Sequence, residues 1–286
     1  MTRYLITGAQ GMLGRDLQAA LASASGDRQV TALDRAELDI SDPRACHAAV
    51  AGYDVVLNAA AYTDVDAAEA DEQSAHLVNA IGAENLAAAC RTVGAVLVQY
   101  STDYVYDGQQ SEPYAEDAPL APVSAYGRTK AEGERLARAA NPHGTIIVRT
   151  AWLYGEHGGN FVHTMMRLYR ERGELQVVDD QHGQPTWTRD LAEQTVRMLD
   201  AGVRSATLHG TNSGVTTWYG FAQAIVENLG GDPADVTAVS SAAFPRAARR
   251  PARSVLGHEG WSRLGLPPLR PWREALDEMM ATEARA

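Results

Sequence analysis

A glycine-rich turn near the start of the chain constrains the fold more than any other feature. Its pattern is Gly8-x-x-Gly11-x-x-Gly14, with a strand-like run before it at residues 4–7 and a helical run after it. Glycine at these places permits a tight turn, close approach of a pyrophosphate to the backbone, and close packing of the helix on the strand. The chain is therefore predicted to open with a dinucleotide-binding βα unit.

The second strand-like run ends on an acidic residue. Asp34 follows residues 29–33 and lies twenty positions after Gly14, where dinucleotide folds place an acid that accepts hydrogen bonds from the adenosine ribose. Asp34 favours NADH, whereas Arg35 can instead bind the 2′-phosphate of NADPH. The sequence therefore excludes neither cofactor. Asp39 follows in the next loop and can reach the adenine amino group.

Small and hydroxylated residues follow the next two strand-like runs. Residues 54–58 lead into three alanines at 59–61, and residues 95–100 lead to Thr102. Small side chains at the carboxyl end of a parallel strand leave room for a ligand, and a hydroxyl there points into the ligand crevice. Thr102 is therefore predicted to hydrogen-bond a substrate carbonyl.

A tyrosine and a lysine stand four residues apart near the start of a predicted helix over residues 124–140. Tyr126 and Lys130 therefore share one face of that helix. Because a neighbouring ammonium stabilises a phenolate, Lys130 is expected to lower the pKa of Tyr126 toward the range useful to a general acid. The spacing alone also fits an ordinary amphipathic helix, and Thr102 upstream favours the catalytic interpretation.

The composition excludes several classes of partner. The net charge of −11 argues against general binding to nucleic acids or anionic membranes, since both are polyanions. No apolar run approaches the ~20 residues that cross a bilayer, and no leader-like segment precedes the first strand. Two isolated cysteines, Cys46 and Cys90, suit a reducing compartment and exclude a thiolate metal site. We expect a cytoplasmic protein.

The second half of the chain holds candidates for substrate binding. Trp152 follows the strand-like run at residues 145–150 and either lines a pocket or packs in the core. Asn160 and Phe161 open the next helix, whose free amides suit a phosphate. Arginine also binds phosphate through a planar fork of donors, although each arginine alone fits a solvated surface equally well. The basic cluster of this half comprises Arg246, Arg249, Arg250 and Arg253.

The regular alternation of strands and helices breaks up after residue 150, which predicts a second, smaller unit. A long surface loop is predicted over residues 109–122. The other predicted helices cover residues 43–50, 74–92, 160–172, 188–199, 218–229 and 271–280, and the later strands cover residues 175–178 and 206–209.

Four longer strings are more specific than any single motif. They are Asn58-Ala-Ala-Ala-Tyr-Thr-Asp-Val-Asp, Ser101-Thr-Asp-Tyr-Val-Tyr-Asp-Gly, Arg149-Thr-Ala-Trp-Leu-Tyr-Gly and Asp180-Gln-His-Gly-Gln-Pro-Thr. With the glycine-rich turn, Thr102 and Tyr126-x-x-x-Lys130, the chain resembles the extended short-chain dehydrogenase/reductases, and among them the dTDP-4-dehydrorhamnose reductase family. The resemblance covers almost the whole chain.

The resemblance implies an α/β fold with a doubly wound parallel Rossmann sheet and a smaller, discontinuous C-terminal lobe that binds substrate. Residues 1–150 would form the dinucleotide-binding domain. Residues 151–286 would form mainly the lobe, with segments around 180–215 returning to the first domain. The implied reaction is NADPH- or NADH-dependent reduction of the C4 ketone of a dTDP-4-keto-6-deoxy-L-sugar.

Site residues follow from the motifs and the resemblance together. Thr102, Tyr126 and Lys130 are the predicted catalytic residues, with Lys130 also holding the nicotinamide ribose. The predicted cofactor-binding residues are Gly8, Gly11, Met12, Leu13, Gly14, Asp34, Arg35, Asp39, Ile40, Ala59, Ala60, Ala61, Thr63, Tyr126 and Lys130. The predicted substrate-binding residues are Thr102, Asp103, Tyr104, Trp152, Asn160, Phe161 and Arg253.

A monomer or homodimer without a bridging metal is expected. Some relatives dimerise around magnesium held by acidic side chains; Asp16 can supply one ligand, but Arg189 stands in the place of another. A 4,6-dehydratase would need Glu after Asp103, where this chain has Tyr104. The motifs also leave open a 4-epimerase with retained NAD, a non-catalytic regulatory subunit, and a reductase of the dihydrostreptose or 6-deoxytalose pathway.

The residue pair at 34 and 35 yields a test of cofactor choice. We expect Arg35→Ala to raise the KM for NADPH and to leave the KM for NADH nearly unaltered, because only NADPH carries the extra phosphate. The shift should shrink as salt rises, since an exposed ion pair is screened. Steady-state kinetics with both cofactors measure this. Equal weakening of both would mean that Arg35 acts on a feature they share.

Overall fold

The protein is built on twelve strands and eleven α-helices within residues 1–283, the part of the chain that this computed structural model describes. Strands β1 to β12 span Thr2–Thr7, Arg28–Leu33, Val55–Asn58, Val96–Thr102, Thr145–Thr150, Leu153–Tyr154, Leu175–Val178, His182–Gly183, Thr186–Trp187, Ala206–His209, Thr216–Thr217 and Val236–Val239. Helices α1 to α11 span Met12–Ser23, Pro43–Val50, Val65–Ala70, Glu72–His76, Gly82–Val93, Ala125–Ala140, Phe161–Arg172, Thr188–Asp200, Trp218–Asn228, Glu259–Arg263 and Trp272–Glu283.

The central sheet is parallel throughout and has the strand order β10-β5-β4-β3-β1-β2. Crossovers between parallel strands place helices on both faces. Helices α1 and α8 contact each other over one face, whereas α2, α5 and α6 form a contiguous layer over the other. Ile6 and Leu5 show the alternation, because they belong to the cores on opposite faces. The predicted doubly wound fold is confirmed.

The glycine-rich turn between β1 and α1 is packed directly on the backbone that follows β3. Gly8 has a φ of 69°, in the left-handed region that favours glycine. A Cβ on Gly8 would lie 2.6 Å from the Ala60 nitrogen and 2.7 Å from the Ala59 carbonyl carbon. No side chain fits there, so the tips of β1 and β3 are held in close contact.

The predicted helix over residues 74–92 is not continuous. A π-helical turn at Leu77–Ile81 separates α4 from α5. Asn79 lies within it and is 2% exposed. Its side chain accepts from the Tyr62 nitrogen at 2.9 Å, donates to the Tyr62 carbonyl, and donates to the Thr129 hydroxyl at 3.1 Å. The π-turn therefore ties the loop after β3 to α6.

The predicted surface loop over residues 109–122 is anchored by buried side chains. Tyr114 and Glu116 are 2% and 5% exposed. The Tyr114 nitrogen donates to the Val255 carbonyl at 2.8 Å, and Glu116 accepts from the Gly260 nitrogen at 2.7 Å. These contacts join the loop to the C-terminal part of the chain.

A second hydrophobic core lies in the C-terminal half and is formed mainly by α7, α9 and α11 with β7 and β12. Strand β12 was not predicted, and it pairs in parallel with β7. The segment that contains α8 and β10 instead joins the first core, since β10 pairs with β5 and α8 packs on α1. The domain boundary at residue 150 stays a prediction. No helix within residues 1–283 is long and apolar enough to span a membrane.

The contact between α6 and the π-turn depends on a glycine. A Cβ on Gly133 would lie 2.1 Å from the Asn79 carbonyl oxygen. We expect Gly133→Ala to lower the free energy of unfolding by about 1–3 kcal/mol, as overpacking does. Helix propensity alone predicts that the same substitution raises the free energy of unfolding by roughly 1 kcal/mol. The sign of the measured change therefore distinguishes overpacking from propensity.

Gly159→Ala is the matched control, because a Cβ there meets nothing within 4 Å. Urea unfolding of both variants measures the difference. A Gly133→Ala protein as stable as the control would contradict the close approach.

Candidate active site

The three predicted catalytic residues lie together at the carboxyl edge of the central sheet. Thr102 ends β4, Tyr126 is the second residue of α6, and Lys130 follows one turn later. The Thr102 side chain lies close enough to the Tyr126 phenol to lower its pKa. The Lys130 ammonium donates a 2.6 Å hydrogen bond to the Tyr100 carbonyl, two residues before Thr102.

The start of α6 is fixed by capping and by close packing. Ser124 is the N-cap, and its hydroxyl accepts from the Gly127 nitrogen at 3.1 Å. The Glu69 carboxylate on α3 accepts from the Ala125 nitrogen at 2.8 Å. A Cβ on Gly127 would lie 2.2 Å from the Tyr104 carbonyl oxygen. The first turn of α6 is thereby held against the end of β4.

Burial dominates the ionisation of the Tyr126 phenol. The ring packs edge-on against Tyr104, with centroids 5.7 Å apart. Burial raises the pKa of Tyr126 to about 12, while Thr102 lowers it and Asp103 raises it further. The expectation that the pKa of Tyr126 lies below its ordinary value is therefore wrong for this structure. The phenol keeps its proton at neutral pH.

Lys130 is the only lysine in the sequence, although the chain has 25 lysine and arginine residues in total. It is 5% exposed. Burial lowers the pKa of Lys130 to about 8, and Glu134, one turn further along α6, acts in the opposite direction. Glu134 is itself paired with Arg149 at 2.7 Å and accepts from the Ser101 hydroxyl. The absence of every other lysine is a compositional signal that the motif analysis missed.

The carboxylate of Asp103 accepts hydrogen bonds from two hydroxyl groups of the protein. Thr102 donates to its Oδ1 at 2.9 Å, and the Ser254 hydroxyl donates to its Oδ2. Burial raises the pKa of Asp103 to about 6, although both hydroxyls favour the ionised form. This environment makes Asp103 an anchor for Thr102 and for the C-terminal segment. Its predicted contact with substrate stays a prediction.

The glycine-rich turn presents backbone amides at the N-terminus of α1. A Cβ on Gly14 would lie 2.3 Å from the Gly8 carbonyl oxygen, whereas Gly11 is exposed. No side chain caps the helix at Gly11, so its first amides stay available to an anion. Leu13 belongs to the core and Met12 is half-buried, so Leu13 can contact a cofactor only through its backbone. A cavity of about 250 Å³ lies beside the turn, lined by Ala9, Gln10, Arg15, Gln18 and His157.

The residues predicted to hold adenosine occupy the loop after β2. Asp34 Oδ1 accepts from the Ala36 nitrogen at 2.8 Å, and Arg35 is exposed. Asp39 is exposed, and its Oδ1 accepts from both the nitrogen and the hydroxyl of Ser41.

Three more predicted cofactor residues lie near that loop or after β3. Ile40 is 4% exposed and packs so closely on α5 that a Cβ on Gly82 would lie 2.6 Å from its Cδ1. Its side chain therefore belongs to the core, and only its backbone faces the loop. Ala61 is half-buried and Thr63 is exposed.

Aromatic residues of the C-terminal half form a stack that the sequence patterns did not predict as a unit. Trp152 has a φ of 47° and stacks on Trp218, with centroids 3.6 Å apart and planes inclined by 9°. The Phe161 ring lies 4.6 Å from the Trp218 ring. Asn160 caps α7 by accepting from the His163 nitrogen at 3.1 Å. Trp152 and Phe161 thus converge through Trp218, whose only sequence signal is its place at the start of a predicted helix.

The basic cluster divides into paired and free side chains. Arg250 donates to Asp66 at 2.9 Å and lies 5.8 Å from the centre of the Tyr104 ring. Arg246 and Arg249 are exposed. Arg253 is half-buried, and within residues 1–283 its buried Nε has no hydrogen-bond partner. Arg250 Nη1 is a second buried donor without a partner in that part of the chain, so both Arg250 and Arg253 have a donor available to an anionic ligand.

Comparison with known proteins decides the family. The sequence model of the RmlD substrate binding domain matches residues 2–285. The chain belongs to this family. It is 48% identical over 285 residues to the dTDP-4-dehydrorhamnose reductase of Streptomyces griseus, covering 96% of this chain and 92% of the relative. The predicted resemblance is confirmed.

Two further similarities bear on this RmlD family member. The chain is 47% identical over 278 residues to the dTDP-4-keto-6-deoxy-D-glucose reductase of Streptomyces niveus, covering 96% of each. The crystal structure of dTDP-4-dehydrorhamnose reductase from Bacillus anthracis in complex with NADP matches with a TM-score of 0.93 and 36% identity, covering 99% of this chain and 100% of that one. Fold and family thus agree along the whole chain.

The ionisation of Asp103 makes stability depend on pH. Because its folded pKa of about 6 lies above the unfolded value, the stability contributed by the protonated form is full below pH ~4 and is lost as pH rises through about 6. Asparagine cannot ionise. We therefore expect Asp103→Asn to gain stability relative to wild type between pH ~4 and ~7, by up to about 3 kcal/mol. Urea unfolding at both pH values measures this, and a constant difference would contradict it.

Proposed function

We propose that this protein is an NADPH- or NADH-dependent reductase of a dTDP-4-keto-6-deoxy-L-sugar. The reaction converts the C4 ketone to an alcohol, as from dTDP-4-dehydro-L-rhamnose to dTDP-L-rhamnose. The observation that carries the proposal is the convergence of Thr102, Tyr126 and Lys130 at the carboxyl edge of a dinucleotide-binding sheet. Membership in the RmlD family supports the same reaction class.

The residues around the glycine-rich turn fit a dinucleotide cofactor. The uncapped amides at the start of α1 suit a pyrophosphate, and the absence of a Cβ at Gly8 and Gly14 lets the turn pack without blocking them. Asp34 and Arg35 follow β2 and are assigned to the adenosine ribose and its 2′-phosphate. When bound, the reduced nicotinamide supplies a hydride to the ketone carbon.

Tyr126 is the proton donor in this proposal. Its pKa of about 12 keeps the phenol protonated at neutral pH, so it can protonate the oxygen that becomes negative on reduction. Thr102, whose hydroxyl donates to Asp103 in this structure, is assigned to orient the same oxygen once that proton turns toward the substrate. Lys130 has a pKa of about 8 and is mostly charged at neutral pH. It supplies positive charge on the helix face where the phenolate forms.

The C-terminal half supplies the contacts assigned to the nucleotide sugar. The Trp152–Trp218 stack offers flat apolar surface to a deoxysugar or a thymine ring. The free Nε of Arg253 is assigned to the diphosphate. Arginines near the site give local positive charge to a protein whose net charge is −11.

A second keto-sugar is favoured by one specific observation. Two relatives with 48% and 47% identity are named as reductases of different dTDP-keto sugars, one derived from rhamnose and one from 6-deoxy-D-glucose. The substrate panel therefore contains both compounds. NADPH consumption is followed by absorbance, and the product is identified by NMR.

The decisive variant is Tyr126→Phe. It keeps the ring and removes the proton donor, so we expect kcat to fall by about two to four orders of magnitude, as is typical for lost general acid catalysis. The dissociation constant for NADPH should barely change. Tyr53→Phe is the matched control, because it removes a phenol that bonds Thr31 at 2.8 Å before β3, away from the site.

Two outcomes would overturn these assignments. A near-normal kcat in Tyr126→Phe would eliminate Tyr126 as the acid. The second outcome is a wild-type protein that binds NADPH but does not oxidise it when any keto-sugar of the panel is added. That result would instead favour a regulatory subunit.

A further inference from the structure

A chain of buried hydrogen bonds crosses the carboxyl ends of three neighbouring strands and ends at Lys130. The Thr7 hydroxyl on β1 donates to Asn58 Oδ1 on β3 at 2.6 Å. Asn58 Nδ2 donates to Gln99 Oε1 on β4 at 2.6 Å. Gln99 Nε2 then donates to the Tyr100 carbonyl at 3.0 Å, the same oxygen that accepts from Lys130 at 2.6 Å.

The hydrogen bonds of this series all run in one donor-to-acceptor direction from Thr7 to the Tyr100 carbonyl. Each amide uses its oxygen to accept from the preceding member and its nitrogen to donate to the next. Rotating the Gln99 amide by half a turn would set two acceptor oxygens against each other at Tyr100. Asn58 Oδ1 also accepts from the Ala60 nitrogen at 3.2 Å, in the backbone that packs on Gly8. This series of hydrogen bonds therefore joins the glycine-rich turn to Lys130.

Folding alone does not require amides at these positions. Thr7, Asn58 and Gln99 are 1%, 1% and 2% exposed, and a buried polar group costs stability unless it is hydrogen-bonded. Leu97, two residues earlier on β4, fills the core on one face with an apolar side chain. A second apolar residue at position 99 would extend that core, so the polar chain calls for another explanation.

We propose that Gln99 is a positioning residue, which holds the Tyr100 carbonyl so that Lys130 is presented to the reacting groups, while Asn58 and Thr7 fix the Gln99 amide. The inference rests on the proposed function, because it gives Lys130 a part in the reaction. In this inference the position of Lys130 is set by α6 and also by the hydrogen bonds that run from the glycine-rich turn. Gln99 itself touches neither cofactor nor substrate in this assignment.

The charged groups around Lys130 define what a substitution at Gln99 would change. Glu134 on α6 acts on Lys130 directly and is balanced by Arg149 on β5. The further titratable groups at this corner are Tyr126 on α6, Asp103 and Tyr104 after β4, and Arg250 beside the Tyr104 ring. A carboxylate in place of the Gln99 amide would be a new negative charge beside the ammonium, since both groups bond the same carbonyl oxygen.

The lone lysine makes the test direct. Protein labelled with isotopic lysine gives one lysine side-chain signal in a heteronuclear NMR spectrum, because Lys130 is the only lysine. Its titration reports the Lys130 pKa without substrate or turnover. We expect Gln99→Glu to raise that pKa by about one unit or more, as an adjacent opposite charge does.

Gln99→Met removes both hydrogen bonds of the amide while keeping its approximate length. We expect it to lower kcat about tenfold, the equivalent of one buried hydrogen bond. Thr195→Val is the matched control, because it breaks the equally buried bond between Thr195 and the Tyr100 phenol at 2.9 Å and leaves the Tyr100 carbonyl untouched. The control should lose stability without moving the Lys130 signal or kcat.

The outcomes separate this inference from the proposed function. An unmoved Lys130 titration in Gln99→Glu, or a kcat loss in Gln99→Met no greater than in the control, overturns the positioning role even if wild type is an active reductase. A shifted titration in a protein without reductase activity would sink the proposed function and leave the hydrogen-bonded path standing. If the Gln99 variants do not fold, Thr7→Val tests the inference instead. We expect this variant to shift the NMR signal of the Lys130 side chain. A signal at the wild-type position would overturn the inference.

Discussion

Backbone packed against backbone at Gly8 and Ala59–Ala60 is the constraint on which the site depends. The contact leaves no space for a Cβ, so it fixes how the tips of β1 and β3 meet and therefore where α1 begins. The tightness of the turn also leaves the first amides of α1 without a side-chain cap and free to bind an anion. The same contact sets Thr7 beside Asn58, from which the buried hydrogen bonds run toward β4. The glycine-rich turn and the candidate active site thus share one geometric origin.

Burial acts on the ionisable groups of the candidate active site in one consistent way. It raises the pKa of Tyr126, lowers that of Lys130, and raises that of Asp103, and each shift favours the neutral form of the group. The Glu134–Arg149 pair is buried beside them, and each of its side chains has the other as a partner. At neutral pH only Tyr126 of these three groups stays uncharged, since pKa values of about 6 and about 8 leave Asp103 and Lys130 mostly ionised.

The sequence predicted the parts of the fold that local patterns encode. Strands β5, β7 and β10 and helix α2 begin and end where their apolar runs and turn residues indicate. The π-turn depends on bonds from Asn79 to Tyr62, seventeen residues away, and β12 depends on pairing with β7. Neither leaves a local signature. The pairing of Trp152 with Trp218 and the direction of the Tyr126 pKa both follow from tertiary burial, so motif spacing alone missed them; the roles of the site residues stay predictions.

The restriction of lysine to one buried position gives the protein an unusual charge profile in alkaline solution. Every other side-chain cation that is charged above neutral pH is a guanidinium, which keeps its charge beyond pH ~12. Burial also raises the pKa of both cysteines to about 12. Between about pH 8 and about pH 9 the side chains of the outer surface therefore keep an almost constant charge, because free histidines titrate near ~6.5 and free tyrosines near ~10. Solubility and electrostatic steering of an anionic ligand should be steady over that range, and the side-chain proton lost within it comes from the interior.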